Sequence, residues 1–158
     1  MPSIFDRQTL PTPSVLHTVA QRRFDDAHAL CRTGQNARAN GALYLLGISL
    51  EIVLKAKMLG RYRSILSGPR PAAADDQSRV IYDLFWRSHD LPAMVVHLRD
   101  LVIALEKKDE LLKTDHARTL RQVASQWTIY ARYSSRQAAL AEAERMLDQV
   151  RVLKEILR

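Results

Sequence analysis

Three places in this chain set ionisable or aromatic side chains where helical patterning calls for aliphatic ones. Glu51 and Lys55 stand four apart, so a helix puts them on one face. In water such a pair contributes roughly 0.2–0.5 kcal/mol. Their neighbours Leu50, Ile52, Val53, Leu54 and Ala56 are too apolar for a comfortable surface pair. A buried Glu51 requires a cation or a donor, because an unpaired buried charge is expensive. Arg132 is the first candidate partner, with His89 and the Tyr44 hydroxyl as alternatives.

The second place is Ser88-His89-Asp90-Leu91. Imidazole acts as a general acid or base near neutral pH. A purely local reading also fits: Ser88 or Asp90 caps the incoming helix, and an Asp beside a helix N-terminus suits the dipole. The third place is Trp127-Thr128-Ile129-Tyr130-Ala131-Arg132-Tyr133. Trp127, Tyr130 and Tyr133, at spacings of three, either stack bases or form a core or dimer stripe. The functional expectation brings Glu51, Lys55, His89 and Arg132 into one recess for a phosphate or nucleobase. Asp90 and Tyr133 complete the binding set, and His89 and Arg132 are the catalytic candidates.

Other chemistries lack their residues. The chain has no Gly-rich phosphate loop, no Cys/His metal spacing and no nucleophile elbow, so neither a metal nor a cofactor is expected. The lone Cys31 makes no internal disulfide and no thiolate cluster. No apolar run approaches the ~18 residues that span a bilayer, so no membrane association is expected. The start, MPSIFDRQTLPTPS, lacks an apolar signal region, which leaves a soluble, cytoplasmic protein as the expectation. Net charge is +7, and arginine supplies 18 of the 24 basic residues. That balance permits a polyanionic partner and equally suits ordinary helix surfaces.

Punctuation sets the elements. All six prolines lie at positions 2, 11, 13, 69, 71 and 92, and no glycine follows Gly68. Helices are expected at Ser14–Thr33, with Ser14 as N-cap, and at Asn36–Tyr62, the most apolar and central one. Gly41 and Gly47 in the latter read as close-approach points for a neighbouring helix. Residues 63–78 form an exposed loop. A short helix, Arg79–Trp86, precedes one from Asp90 or Leu91 to Lys107, with Pro92 in its first turn. Two more run from Asp109 or Asp115 to Arg132, and from Arg136 to Leu157. The expectation is all-α: an antiparallel bundle of four to five long helices with one short extra helix, in a single domain behind a tail at 1–13.

The order of these motifs resembles a known family. Ala39-x-x-Ala42-x-Tyr44-Leu45 followed by Glu51-x-x-Leu54-Lys55-Ala56 is similar to the central-helix signature of HEPN domains. His89-Asp90-Leu91 and Arg132-Tyr133 are similar to its remaining hallmarks, over a span of 14–157. The resemblance implies a commonly homodimeric bundle from prokaryotic toxin–antitoxin and defence systems, often encoded beside a nucleotidyltransferase partner. Many members are metal-independent endoribonucleases that use a late Arg-x4-6-His motif in the dimer cleft. Here no histidine follows Arg132; the last is His116. Arg23-x4-His28 has the spacing but lies on the first helix, where Asp25 and Asp26 suit a solvated, salt-bridged face. The expectation is therefore a non-catalytic or weakly catalytic module that binds RNA or a nucleotide. The alternatives are a ribonuclease with an atypical His89/Arg132 pair and a protein-interaction subunit without a nucleic-acid role.

Overall fold

The computed structural model describes residues 10–127 and 135–158, and these hold seven α-helices and no strand. They are α1 (Pro13–Arg32), α2 (Ala39–Leu66), α3 (Asp76–Trp86), α4 (Leu91–His97), α5 (Arg99–Leu112), α6 (His116–Gln126) and α7 (Leu140–Ile156). A single 3-10 turn, Asn36–Arg38, leads into α2. No helix among the described residues is long and apolar enough to cross a membrane.

Local chemistry fixes the ends. Thr12, not Ser14, caps α1: its Oγ1 accepts from the Val15 amide at 3.2 Å, and Pro13 takes the first helical position, where its missing N–H costs nothing. Gly34 follows the C-cap Thr33 with a φ of +67° and turns the chain out of α1. Asp75 caps α3 by accepting from the Ser78 amide at 3.1 Å, so the loop expected at 63–78 shrinks: α2 runs on to Leu66 and α3 starts at Asp76. Tyr62, the expected end of α2, is instead a kink with φ −115° and ψ 27°.

The one helix expected from Leu91 to Lys107 is two, broken at Leu98. Tyr62 Oη donates to the His97 carbonyl at 2.7 Å and so satisfies an acceptor that the break releases. The α5–α6 turn needs neither glycine nor proline. The buried Asp109 accepts from the Thr114 hydroxyl at 2.6 Å and from the Ala117 amide at 2.7 Å, which ties the start of α6 to α5. Burial pushes the Asp109 pKa up, but donors from Ala117, Thr114 and the His116 backbone outweigh it and bring the value to about 2. The expected start of the last helix at Arg136 moves to Leu140. Asn40 holds the 136–138 backbone through both ends of its amide, and Asn36 Oδ1 accepts from the Leu140 amide at 2.8 Å.

The core surrounds α2, which buries Leu46, Leu50, Leu54, Met58 and Leu59 completely. Register follows from cross-helix contacts. Ser49 donates to the Ala20 carbonyl at 2.7 Å, while an added Cβ at Gly41 would meet Leu30, so α1 and α2 are antiparallel. Asn36 reaches Leu140 and Lys57 reaches Arg158, so α7 runs parallel to α2. Gly47 is a close-approach point of the expected kind: an added Cβ would fall 1.6 Å from Nε1 of Trp127.

Candidate functional site

Glu51 sits at the middle of α2 with its side chain 4% exposed. One carboxylate oxygen takes Lys55 Nζ at 2.7 Å, one helical turn on. The other lies 2.9 Å from Nδ1 of His89, in the junction between α3 and α4. Lys55 also donates to the Ser88 carbonyl at 3.1 Å. Two charges and one imidazole thus close a ring that fastens this junction to the central helix.

The junction is shaped by its own polar residues. Ser88 Oγ accepts from the Asp90 amide at 3.0 Å, and Asp90 Oδ1 accepts from the Ala93 amide at 2.9 Å as the N-cap of α4. Asp90 is thereby committed to a helix end, and Pro92 fills the first turn. This preset bend delivers the ring of His89 to Glu51. Solvent reaches the assembly unevenly: the Lys55 side chain is 15% exposed and His89 is 44% exposed.

The arrangement fixes the tautomer logic. With Nδ1–H donating to the carboxylate, Nε2 is the acceptor nitrogen of the neutral ring. Beside Ser88 lies an open depression of about 320 Å³, lined by Asp76, Arg79, Val80, Asp83 and Leu84. Arg70 forms a two-pronged bond with Asp83 at 2.9 and 2.6 Å on the same side.

Of the expected set, Glu51, Lys55 and His89 meet, with Asp90 alongside them. Arg132 and Tyr133 lie outside the described residues, as does Tyr130. Trp127 is buried over Gly47, 6.5 Å from the ring of Tyr44, which makes it core and not a base-stacking platform. His28 and Arg23 form no pair: Arg23 bonds Asp26 at 3.1 Å, as expected of a solvated face. The sequence reading missed the buried polar residues Ser49 and Asp109, which act on backbone groups. For Asp109, Thr114 and the helix start at His116 were the available signal, a cap set from the preceding helix. Among the described residues no cluster of His, Cys, Asp and Glu has the makings of a metal site. The chain matches no family model, no curated protein and no solved structure.

Proposed function

We propose that this chain is a HEPN-like helical module that binds RNA or a nucleotide, with the imidazole of His89 as the group presented to the ligand. The observation that carries the reading is the 2.9 Å contact from Nδ1 of a half-exposed His89 to the buried carboxylate of Glu51. Sinking a carboxylate in the core is costly. Here it fixes the orientation of one ring and leaves Nε2 for a phosphate oxygen or a base edge. The net charge of +7 draws the polyanion in. Arg132 and Tyr133 belong to the proposed site through the resemblance. Fluorescence anisotropy of a labelled oligoribonucleotide, titrated at several salt concentrations, tests this. Affinity should fall steeply with salt and drop at least tenfold in His89→Ala. Equal affinity for wild type and His89→Ala refutes it.

The same Glu51–His89 contact favours a second reading, a metal-independent endoribonuclease. A carboxylate orienting an imidazole is the arrangement of an aimed general base. In that reading Nε2 takes the 2′-hydroxyl proton, the 2′-oxygen attacks the adjacent phosphorus, and the 5′-oxygen leaves. Cleavage of RNA in EDTA by wild type, abolished in His89→Ala, would establish this reading over simple binding. The resemblance further carries homodimerisation, a cytoplasmic place and a nucleotidyltransferase partner in a prokaryotic toxin–antitoxin or defence system. Sedimentation equilibrium reads the first of these directly.

A further inference from the structure

A second cavity shares no lining residue with the His89 junction. It is a groove of about 950 Å³ between α1 and α7, floored by Phe24 and Val53. Its walls hold the cationic side chains of Arg22, Arg151, Lys154 and Arg158 against one carboxylate, Glu155. Arg151 is paired with Asp148 at 2.7 Å. Arg22, Lys154 and Arg158 have no carboxylate within ion-pair distance among the described residues.

Lys154 is the centre of the groove. Its Nζ lies 4.0 Å above the Phe24 ring and donates to Gln21 Oε1 at 2.7 Å. Gln21 is oriented in turn by donating to Asp25 at 2.8 Å. The ammonium is thus positioned by a ring face and an amide, and its remaining donor capacity is open to the cavity. Half-burial, with Arg158 and Arg151 close by, lowers its pKa to about 8 despite Asp25 and Glu155. The field reaches His17 on the facing wall, whose pKa is lowered by burial, Lys57 and Arg158. A protein that gathers like charges around a half-buried lysine gains from an anion that neutralises them.

We infer that the α1–α7 groove is a second ligand site, one that takes a polyphosphate chain. The spacing carries the ligand class. Arg151 and Lys154 stand one turn apart on α7, Arg158 follows just past its C-cap Leu157, and Arg22 faces them from α1. A single phosphate has one centre of charge and cannot sit beside cations on both walls, whereas a chain of two or three phosphates spreads its charge along the groove. The Ser14 hydroxyl on α1 supplies a neutral donor to the opposite edge, while the Thr18 hydroxyl donates to the Ser14 carbonyl at 3.1 Å. Ordinary phosphodiester backbone offers one charge per nucleotide and fits this closely set cluster less well. Free nucleoside triphosphates and the 5′-triphosphate end of an RNA share the required chemistry.

The test uses isothermal titration of the full chain at matched ionic strength with inorganic phosphate, tripolyphosphate, ATP, and RNA bearing either a 5′-triphosphate or a 5′-hydroxyl. Tripolyphosphate should bind at least tenfold tighter than phosphate. Lys154→Met and Arg22→Ala should each lose at least fivefold, while Arg145→Ala, an equal charge change on the exposed side of α7, should lose less than twofold. Comparison of ATP with the two RNAs assigns the source of the chain. Arg22 is exposed, so that variant reports on the groove even where Lys154→Met disturbs packing. Equal affinity for phosphate and tripolyphosphate, or an equal loss in Arg145→Ala, overturns the site. His89→Ala should leave tripolyphosphate binding intact, so this site and the His89 reading stand or fall separately.

Discussion

Replacing Glu51 by alanine tests the physical basis of the candidate site. Removing one partner of a buried pair costs about 3–5 kcal/mol, because the other charge is left without compensation. Glu51 is 4% exposed and Lys55 15% exposed, so the pair belongs near that range. His89, at 44% exposure, recovers hydration and adds little. A loss of about 3 kcal/mol is expected for Glu51→Ala. Lys57 is two residues beyond Lys55 and donates to the Arg158 carbonyl at 2.8 Å in a solvent-exposed hydrogen bond; its removal should cost less than about 1 kcal/mol. For a chain of this size each kcal/mol moves the melting temperature by about 2–4 °C, so Glu51→Ala should melt some 6–12 °C below wild type. Thermal denaturation followed by circular dichroism measures both variants. Glu51→Gln keeps the volume and should retain at least half of the loss, which separates charge from cavity. The double variant Glu51→Ala/Lys55→Ala should recover roughly 1–2 kcal/mol by removing the stranded ammonium. Equal melting temperatures for Glu51→Ala and Lys57→Ala would refute the reasoning, since Glu51 would then be hydrated and free.

Two further outcomes follow from other parts of the fold. Gly47→Ala forces a Cβ to within 1.6 Å of the buried Trp127 indole, so the ring must move and stability should fall by about 1–3 kcal/mol, with a changed near-ultraviolet Trp signal. An unaltered signal would show that Trp127 does not pack there. Asp109 has a folded pKa of about 2 against an ordinary 3.8, so the folded state holds the proton less tightly than the unfolded chain does. Its stabilisation is complete above about pH 4 and is lost as pH falls through 2. Urea midpoints should drop over that interval in wild type and drop less in Asp109→Asn, which has no carboxylate there to protonate; parallel curves would remove the assignment.

Helix was legible because the breakers are confined to a few positions and the apolar residues recur at helical spacing. The central place of α2 was legible too, since its apolar residues wrap most of its circumference. Glu51 and Lys55 announced themselves for a related reason: a charged pair four apart inside that pattern demands an explanation. Their closing partner was not legible. Arg132, His89 and Tyr44 were all chemically sufficient, and only the α3–α4 bend, set by Ser88 and Asp90, brings His89 to 2.9 Å. The break at Leu98 and the kink at Tyr62 were invisible for the same cause, a hydrogen bond between residues 35 apart in sequence.

The chain's residues alone determined what kind of elements form, which helix is innermost, and that a carboxylate at position 51 must find a donor. Those are local or compositional facts, decided by periodicity, by capping and by the cost of burying charge. Tertiary structure decided which donor Glu51 receives and which way α7 runs. It also decided that arginines and a lysine scattered from position 22 to position 158 line one groove. Such outcomes depend on the register of helices distant in sequence, and register is fixed only when the whole core packs at once.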